Sequence, residues 1–370
     1  MNNAVLAFED GSVYRGKAFG AKKTVCGDVV FNTSMIGYQE LLTDPSNYKN
    51  IVNMTFVEVG CYGINDEDSE SDGIKAAGLV VAQECVVPSN WRCTKTLQAF
   101  LEENGTPAIS GIDTRAITKK LREKGTMKAC LSTEEISDED AVKLAQQWEG
   151  VEGVDSVKDV SCKNSYYIDE SKQNIKPFEI GGVHIDSKPR KTPLVKCAVI
   201  DFGATRSLLN SLAFNGFDVT VFPATVTAEE IDAFAPKCVF LSSGAGDASS
   251  LTYAHETVAK LIKKYPTFAT GLGHLVLAHA MGAKTCKMKF GHHGVNYPVK
   301  NLDSDIVKIT TQNISFAVEA KSVENSEAVV ADVNVNDETI EGLKHQSLPV
   351  FSVSYLPDAQ LWAKFYDMSK

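Results

Sequence analysis

Hydrophobic and polar positions follow a mixed period in the first 150 residues and a regular strand–helix alternation after residue 194. In the first stretch, Ala4–Phe8 and Val13–Gly16 predict a hairpin around Asp10-Gly11, a favourable turn dipeptide. Strands are expected at Val29–Asn32 and Ala76–Gln83. Between them, Asp44-Pro45-Ser46-Asn47 reads as a turn. Thr94–Glu103 has helical spacing, with Leu97, Phe100 and Leu101 on one face. Ile112–Glu123 predicts a helix capped by Asp113 or Thr114, with a basic last turn that suits the macrodipole. A further polar-faced helix is expected over 131–147, starting from Ser132 or Thr133. Periodicity is lost over 151–193, which reads as edge strands and a linker.

From residue 195 strands and helices alternate. Strands are expected at Val195–Asp201, Val219–Pro223 and Cys238–Leu241, and helices at 205–214, 228–233 and 251–264. This order predicts a parallel sheet with right-handed crossovers. Sites in such sheets form at the carboxyl ends of the strands. Two loops are placed there: SSGAGDA (242–248), and Gly271-Leu272-Gly273, which links an apolar run at Phe268–Thr270 to an amphipathic run from His274. Strand, tight turn and helix together make a nucleophile elbow, but this apex offers only glycine and leucine. After residue 283 the pattern is again rich in strands. The expected organisation is a smaller, strand-rich α/β domain over 1–150, the linker region 151–193, and an α/β domain over 194–370.

Composition narrows the function classes. The chain has 370 residues, 44% apolar and 23% charged, with a net charge of −10. That balance argues against nucleic acid or an anionic membrane as the main partner. No apolar run approaches the roughly 20 residues that span a bilayer. The first residues, MNNAVLAFEDGS, lack the basic start of a signal peptide. Nine scattered cysteines without a CxxC suit reduced thiols, and a cytoplasmic location is expected.

Other candidate chemistry is weaker. His274 and His279 do not share a helix face, and the adjacent His292 and His293 oppose each other in a strand, so no metal site is expected. Ser242, Ser243 and Ser354 have no histidine assigned beside them that could activate a hydroxyl. There is no Walker A motif, so ATP chemistry would belong to a partner.

The motifs VVFNTSMIGYQELLTDPS (29–46), SNWR (89–92), ISGIDTRAITKKLREKG (109–125), IDFGATRSLL (200–209), SSGAGD (242–247), GLGH (271–274), KMKFGHHGVNYPVK (287–300) and TQNISFAV (311–318) resemble the small, glutaminase subunit of carbamoyl-phosphate synthase, in order and over nearly the whole chain. The resemblance implies an N-terminal small-subunit domain, a C-terminal class I glutamine amidotransferase domain, and docking on a large synthetase subunit that carries ATP and metal. No cofactor is expected in this chain.

The departures from the family pattern fall on the chemistry. The family elbow, Gly-Ile-Cys-Leu-Gly-His-Gln, is Ala269-Thr270-Gly271-Leu272-Gly273-His274-Leu275 here, so Gly271 takes the nucleophile's place. The family's His-Pro-Glu is Leu356-Pro357-Asp358, so Leu356 takes the place of the base and Asp358 that of the orienting carboxylate. By position, Ser46, Gly244, Gly246, Leu272, Asn313 and Phe316 match the glutamine pocket, while Leu275 and Ser315 alter it. The bland reading of these survivors is structural: tight loops require Gly244 and Gly246, and Phe316 suits a core. The reading is a non-hydrolysing pseudo-glutaminase that supports or regulates an ammonia-using large subunit. The alternatives are a free-standing module that binds a small amide or anion, and an active glutaminase with displaced catalytic residues.

Overall fold

The computed structural model describes residues 3–168 and 193–370. Most of the expected linker lies outside these residues. The chain divides into two compact units. The first comprises residues 1–156 with 287–297 and 311–315; the second comprises 157–286, 298–310 and 316–370.

The first unit is built on a closed barrel of seven strands. Around the barrel they run Asn3–Phe8, Val13–Gly20, Pro107–Ser110, Gly78–Val80, Asn50–Met54, Thr24–Asn32 and Met127–Ser132. Closure leaves no edge to pair with another chain. The strand Asn3–Phe8 shows how sequence sets the layers. Ala4, Leu6 and Phe8 enter one buried cluster, with Ile117 and Leu121 of the helix Thr114–Lys124. Val5 and Ala7 face a second, with Ala141 and Ala145 of the helix Asp138–Gln147. Period-two alternation gives each face its own covering helix.

Local signals are mostly obeyed. The hairpin pairs Ala4 with Gly16 and Ala7 with Val13. Asp113 caps its helix by accepting from the Ala116 N–H at 2.8 Å. The reading over 131–147 needs correction. Met127–Ser132 is a strand, and the helix starts only at Asp138, where Ser137 accepts from the Asp140 N–H. Thr133 had the chemistry of a cap, but its hydroxyl bonds to the Ala21 carbonyl instead. The Ala76–Gln83 strand contracts to Gly78–Val80.

The second unit holds a ten-stranded sheet, whose long strands Thr285–Asn301 and Val307–Val318 also supply the 287–297 and 311–315 segments. Its centre is parallel: Phe217–Pro223, Val195–Phe202, Cys238–Gly244, Thr267–Thr270 and Val350–Val353 lie side by side in that order. Tyr166–Tyr167 adds an antiparallel edge beyond Phe217–Pro223. Buried aromatic rings fill the space between this sheet and the helix Ala359–Met368. Phe268 stacks on Phe351 at 4.3 Å between centroids and meets Trp362 at 5.5 Å. Such pairs contribute about 0.5–1.5 kcal/mol beyond the area they bury.

The helix Leu272–Ala280 lies directly on the strand Cys238–Gly244. A Cβ at Gly273 would sit 2.5 Å from the Leu241 carbonyl oxygen and 2.7 Å from that of Ser242. Both obstacles are backbone atoms, which cannot rotate away. Gly273→Ala is therefore expected to cost about 2 kcal/mol or more by overpacking, read as a lowered urea midpoint with an unchanged slope. A midpoint equal to that of the wild type would show that the helix shifts freely on the sheet.

Candidate functional site

Three neighbouring parallel strands deliver the candidate residues of the second unit to one end of the sheet. Leu241 pairs with Ala269, and Thr270 with Val353. The carboxyl ends of these strands lead into the Gly244 loop, the Gly271 turn and the Leu356–Asp358 segment. The expectation that the 242–248 and 271–273 loops share an end of the sheet is met. Gly271 is held in place from its neighbour. Its N–H donates to the Val353 carbonyl at 3.2 Å, and the Thr270 hydroxyl donates to the Tyr355 carbonyl at 2.7 Å.

The turn has the backbone of an elbow. Gly271 sits at φ 55°, ψ −122°, immediately before the helix Leu272–Ala280. This is a strained region for a residue with a Cβ, and glycine occupies it freely. A Cβ built there would meet Ser243 Cβ at 3.0 Å and its Cα at 3.2 Å. The apex thus lacks a side chain and is closed in by Ser243. The Ser243 hydroxyl is buried and has no hydrogen-bond partner among the described residues. Sequence reading gave Ser243 no role, because its position beside Gly271 comes from strand pairing and not from spacing.

The glycines of the neighbouring loop have backbone reasons to be there. A Cβ on Gly244 would lie 2.0 Å from the Phe202 carbonyl oxygen, and Gly246 has φ +86°. Leu272, Leu275 and Phe316 are all buried, which agrees with the core reading of Phe316. Ser242 accepts from the Phe202 N–H at 2.9 Å and donates to the Ser243 carbonyl at 2.7 Å. Ser354 donates to the Glu341 carboxylate. Both hydroxyls are thus committed to structural bonds.

Leu356 and Asp358 follow the adjacent strand Val350–Val353. The Leu356 side chain is apolar and about half exposed, at 48%. Asp358 caps the helix Ala359–Met368, accepting from the N–H groups of Gln360 at 3.0 Å and Leu361 at 2.9 Å. Its other oxygen accepts from Lys308 Nζ at 2.6 Å. Burial acts to raise its carboxyl, yet the Lys308 and backbone bonds outweigh it and hold the group below the ordinary value. A carboxylate so engaged serves as a helix cap and an ion-pair partner.

In the first unit, Ser46 and Asn313 meet through a residue that sequence reading had given only a turn role. Asp44 accepts from the Ser46 N–H at 2.9 Å and from Asn313 Nδ2 at 2.7 Å. Asn313 Oδ1 in turn accepts from His293 Nδ1 at 2.7 Å. Burial pushes the Asp44 carboxyl up, against the bonds that favour its ionised form. Ser315 belongs to the same unit and is half-buried. The Asp-Pro pattern marked a turn but carried no sign that its carboxylate also holds Asn313, because the two are 269 positions apart.

Among the described residues, three further histidines each bond a neighbouring side chain through one ring nitrogen. His274 Nδ1 lies 2.8 Å from the Ser352 hydroxyl, and His279 Nε2 lies 2.9 Å from that of Thr285. His292 Nδ1 lies 2.7 Å from Gln312 Oε1. These contacts occupy one nitrogen of each ring with a protein partner.

Both halves of the chain resemble known proteins. Residues 6–131 match the family described as carbamoyl-phosphate synthase small chain, CPSase domain, and residues 198–363 match glutamine amidotransferase class-I. The carbamoyl phosphate synthase small chain of Syntrophotalea carbinolica is 45% identical over 96% of this chain and 93% of its own length. The small chain of Akkermansia muciniphila is also 45% identical, over 96% and 92%. That of Methanosarcina acetivorans is 39% identical, over 96% and 94%.

Two expectations follow from the geometry. Gly271→Cys should lower stability by about 1–3 kcal/mol, since it adds a Cβ at positive φ against Ser243. It should also restore no ammonia release from glutamine, because Leu356 supplies no base. Glutamine hydrolysis by the single variant would refute that. The second concerns acid. Burial depresses His274 and His293 from 6.5 to about 4 each. The unfolded chain then binds more protons than the folded one between these values, so stability is full above pH 6.5 and falls as pH drops towards 4. The loss should be on the order of 3 kcal/mol per histidine, read from urea midpoints at several pH values, and smaller in His274→Asn. A flat pH profile across this window would contradict it.

Proposed function

We propose, from the premise that this chain belongs to the family of carbamoyl-phosphate synthase small chains, that it is a non-hydrolysing member supporting a large synthetase subunit that uses free ammonia. Hydrolysis of glutamine by the family's route needs a thiolate, a base to form it, and an acid to protonate the departing ammonia. The observation that carries the reading is the bare apex: Gly271 keeps the elbow backbone at φ 55°, ψ −122° and presents no nucleophile. Leu356, at the end of the adjacent strand, has no proton to exchange. Asp358 has no imidazole to orient and is engaged by its helix and by Lys308. Losing a nucleophile or its base typically lowers the rate by about a million-fold.

The function then lies in the surface that meets a partner. On the first unit, Met35, Ile36, Val87 and Trp91 are 68%, 72%, 81% and 91% exposed. Large apolar side chains left in water suit a chain that completes its burial in a heteromer. ATP and metal chemistry would fall to the large subunit, and the retained elbow would act as a folded platform.

The test is a paired assay. This chain is co-purified with a large synthetase subunit, and carbamoyl phosphate is measured with ammonium and with glutamine as nitrogen source. Ammonium should sustain synthesis, and glutamine should sustain less than about a thousandth of that rate. Comparable rates with both would overturn the proposal. So would failure of the chain to associate with a large subunit.

A further inference from the structure

The first unit carries a second grouping of reactive side chains, with no part in the reading above. Glu58 lies on the short strand Glu58–Val59, which pairs in parallel with Gln83–Glu84. The chain then turns at Gly60, with φ +107°, and presents Cys61. Cys85 directly follows the partner strand, and its N–H donates to the Val59 carbonyl at 2.9 Å. The Cys61 carbonyl accepts from the Ser89 N–H at 2.8 Å. A Cβ built on Gly60 would lie 3.3 Å from the Cys85 carbonyl oxygen, so the two segments are packed backbone to backbone.

This framework brings two sulfurs and a carboxylate oxygen within 4.8 Å of one another. Cys61 is exposed and Cys85 half-buried. Cysteine is among the most buried residue types, so two thiols side by side near the surface are an uncommon placement.

We infer that Glu58, Cys61 and Cys85 form a three-ligand site for a thiophilic divalent cation of the zinc class, with the fourth position open to water or another donor. Tetrahedral zinc takes thiolates at about 2.3 Å and carboxylate oxygens at about 2.0–2.2 Å. Its donors are therefore roughly 3.5–3.8 Å apart, and small side-chain rotations would close the present spacing. Binding deprotonates both thiols and releases two protons to solvent. Residue spacing carries no sign of this site. Cys61 and Cys85 are 24 positions apart (85 − 61), and only strand pairing makes them neighbours.

The full chain, reduced and freed of metal, is titrated with Co²⁺ as a spectroscopic stand-in. One equivalent should bind with a sulfur-to-cobalt charge-transfer absorption that Zn²⁺ abolishes. Cys61→Ser and Cys85→Ser should each remove the band. Glu58→Gln should weaken binding at least about tenfold, since even the loss of groups that merely support ligands costs that much. Zn²⁺ should also protect Cys61 and Cys85 of the wild type from maleimide, mapped by mass spectrometry, while the exposed Cys286 stays reactive. That measurement decides the matter if a serine variant fails to fold. Absence of the band, its survival in both serine variants, or no protection by Zn²⁺ would overturn the site. A Cys61–Cys85 disulfide formed in air, with no metal uptake by the reduced chain, would also overturn it and assign the pair to redox chemistry.

Discussion

The second unit depends on how closely one helix approaches one strand. Leu272–Ala280 rests on Cys238–Gly244 with the Cα of Gly273 against the carbonyls of Leu241 and Ser242. That approach fixes where the helix begins, and so where Gly271 must turn. The same strand presents Ser243 to Gly271 and, through its Gly244 end, touches the Phe202 backbone. Strand pairing does the rest, because Thr270 opposite Val353 sets the position of the segment that reaches Leu356 and Asp358. Elbow, loop and C-terminal segment are therefore consequences of one packed sheet.

This separates scaffold from chemistry in energetic terms. A side chain at the apex would be held at positive φ and crowded by Ser243, a cost that a catalyst must bear and that glycine avoids. Asp358 shows the same economy, since a carboxylate at that position caps a helix and pairs with Lys308. In the first unit the hub is Asp44, whose carboxylate holds Ser46 and Asn313 together through bonds to both.

Much of the fold was legible because its signals are local. The hairpin at Asp10-Gly11, the Asp113 cap and the strand–helix alternation after residue 194 each rest on residues a few positions apart. The helix start near 131 was misread because Thr133 is also a good cap, and its hydroxyl found the Ala21 carbonyl 112 positions away. Propensity describes what a residue offers, and tertiary contacts select which offer is used.

The sequence by itself determined which side chains stand at the apex and at the end of the adjacent strand. Glycine and leucine at positions 271 and 356 offer neither nucleophile nor base in any conformation. Only the tertiary structure decided what those positions do in their place. The elbow angle of Gly271, the enclosing Ser243, the Asp44 hub and the Glu58–Cys61–Cys85 grouping all arise from strand pairing or long-range hydrogen bonds. Such contacts join residues tens to hundreds of positions apart, and neither periodicity nor motif spacing encodes which distant strand will become a neighbour.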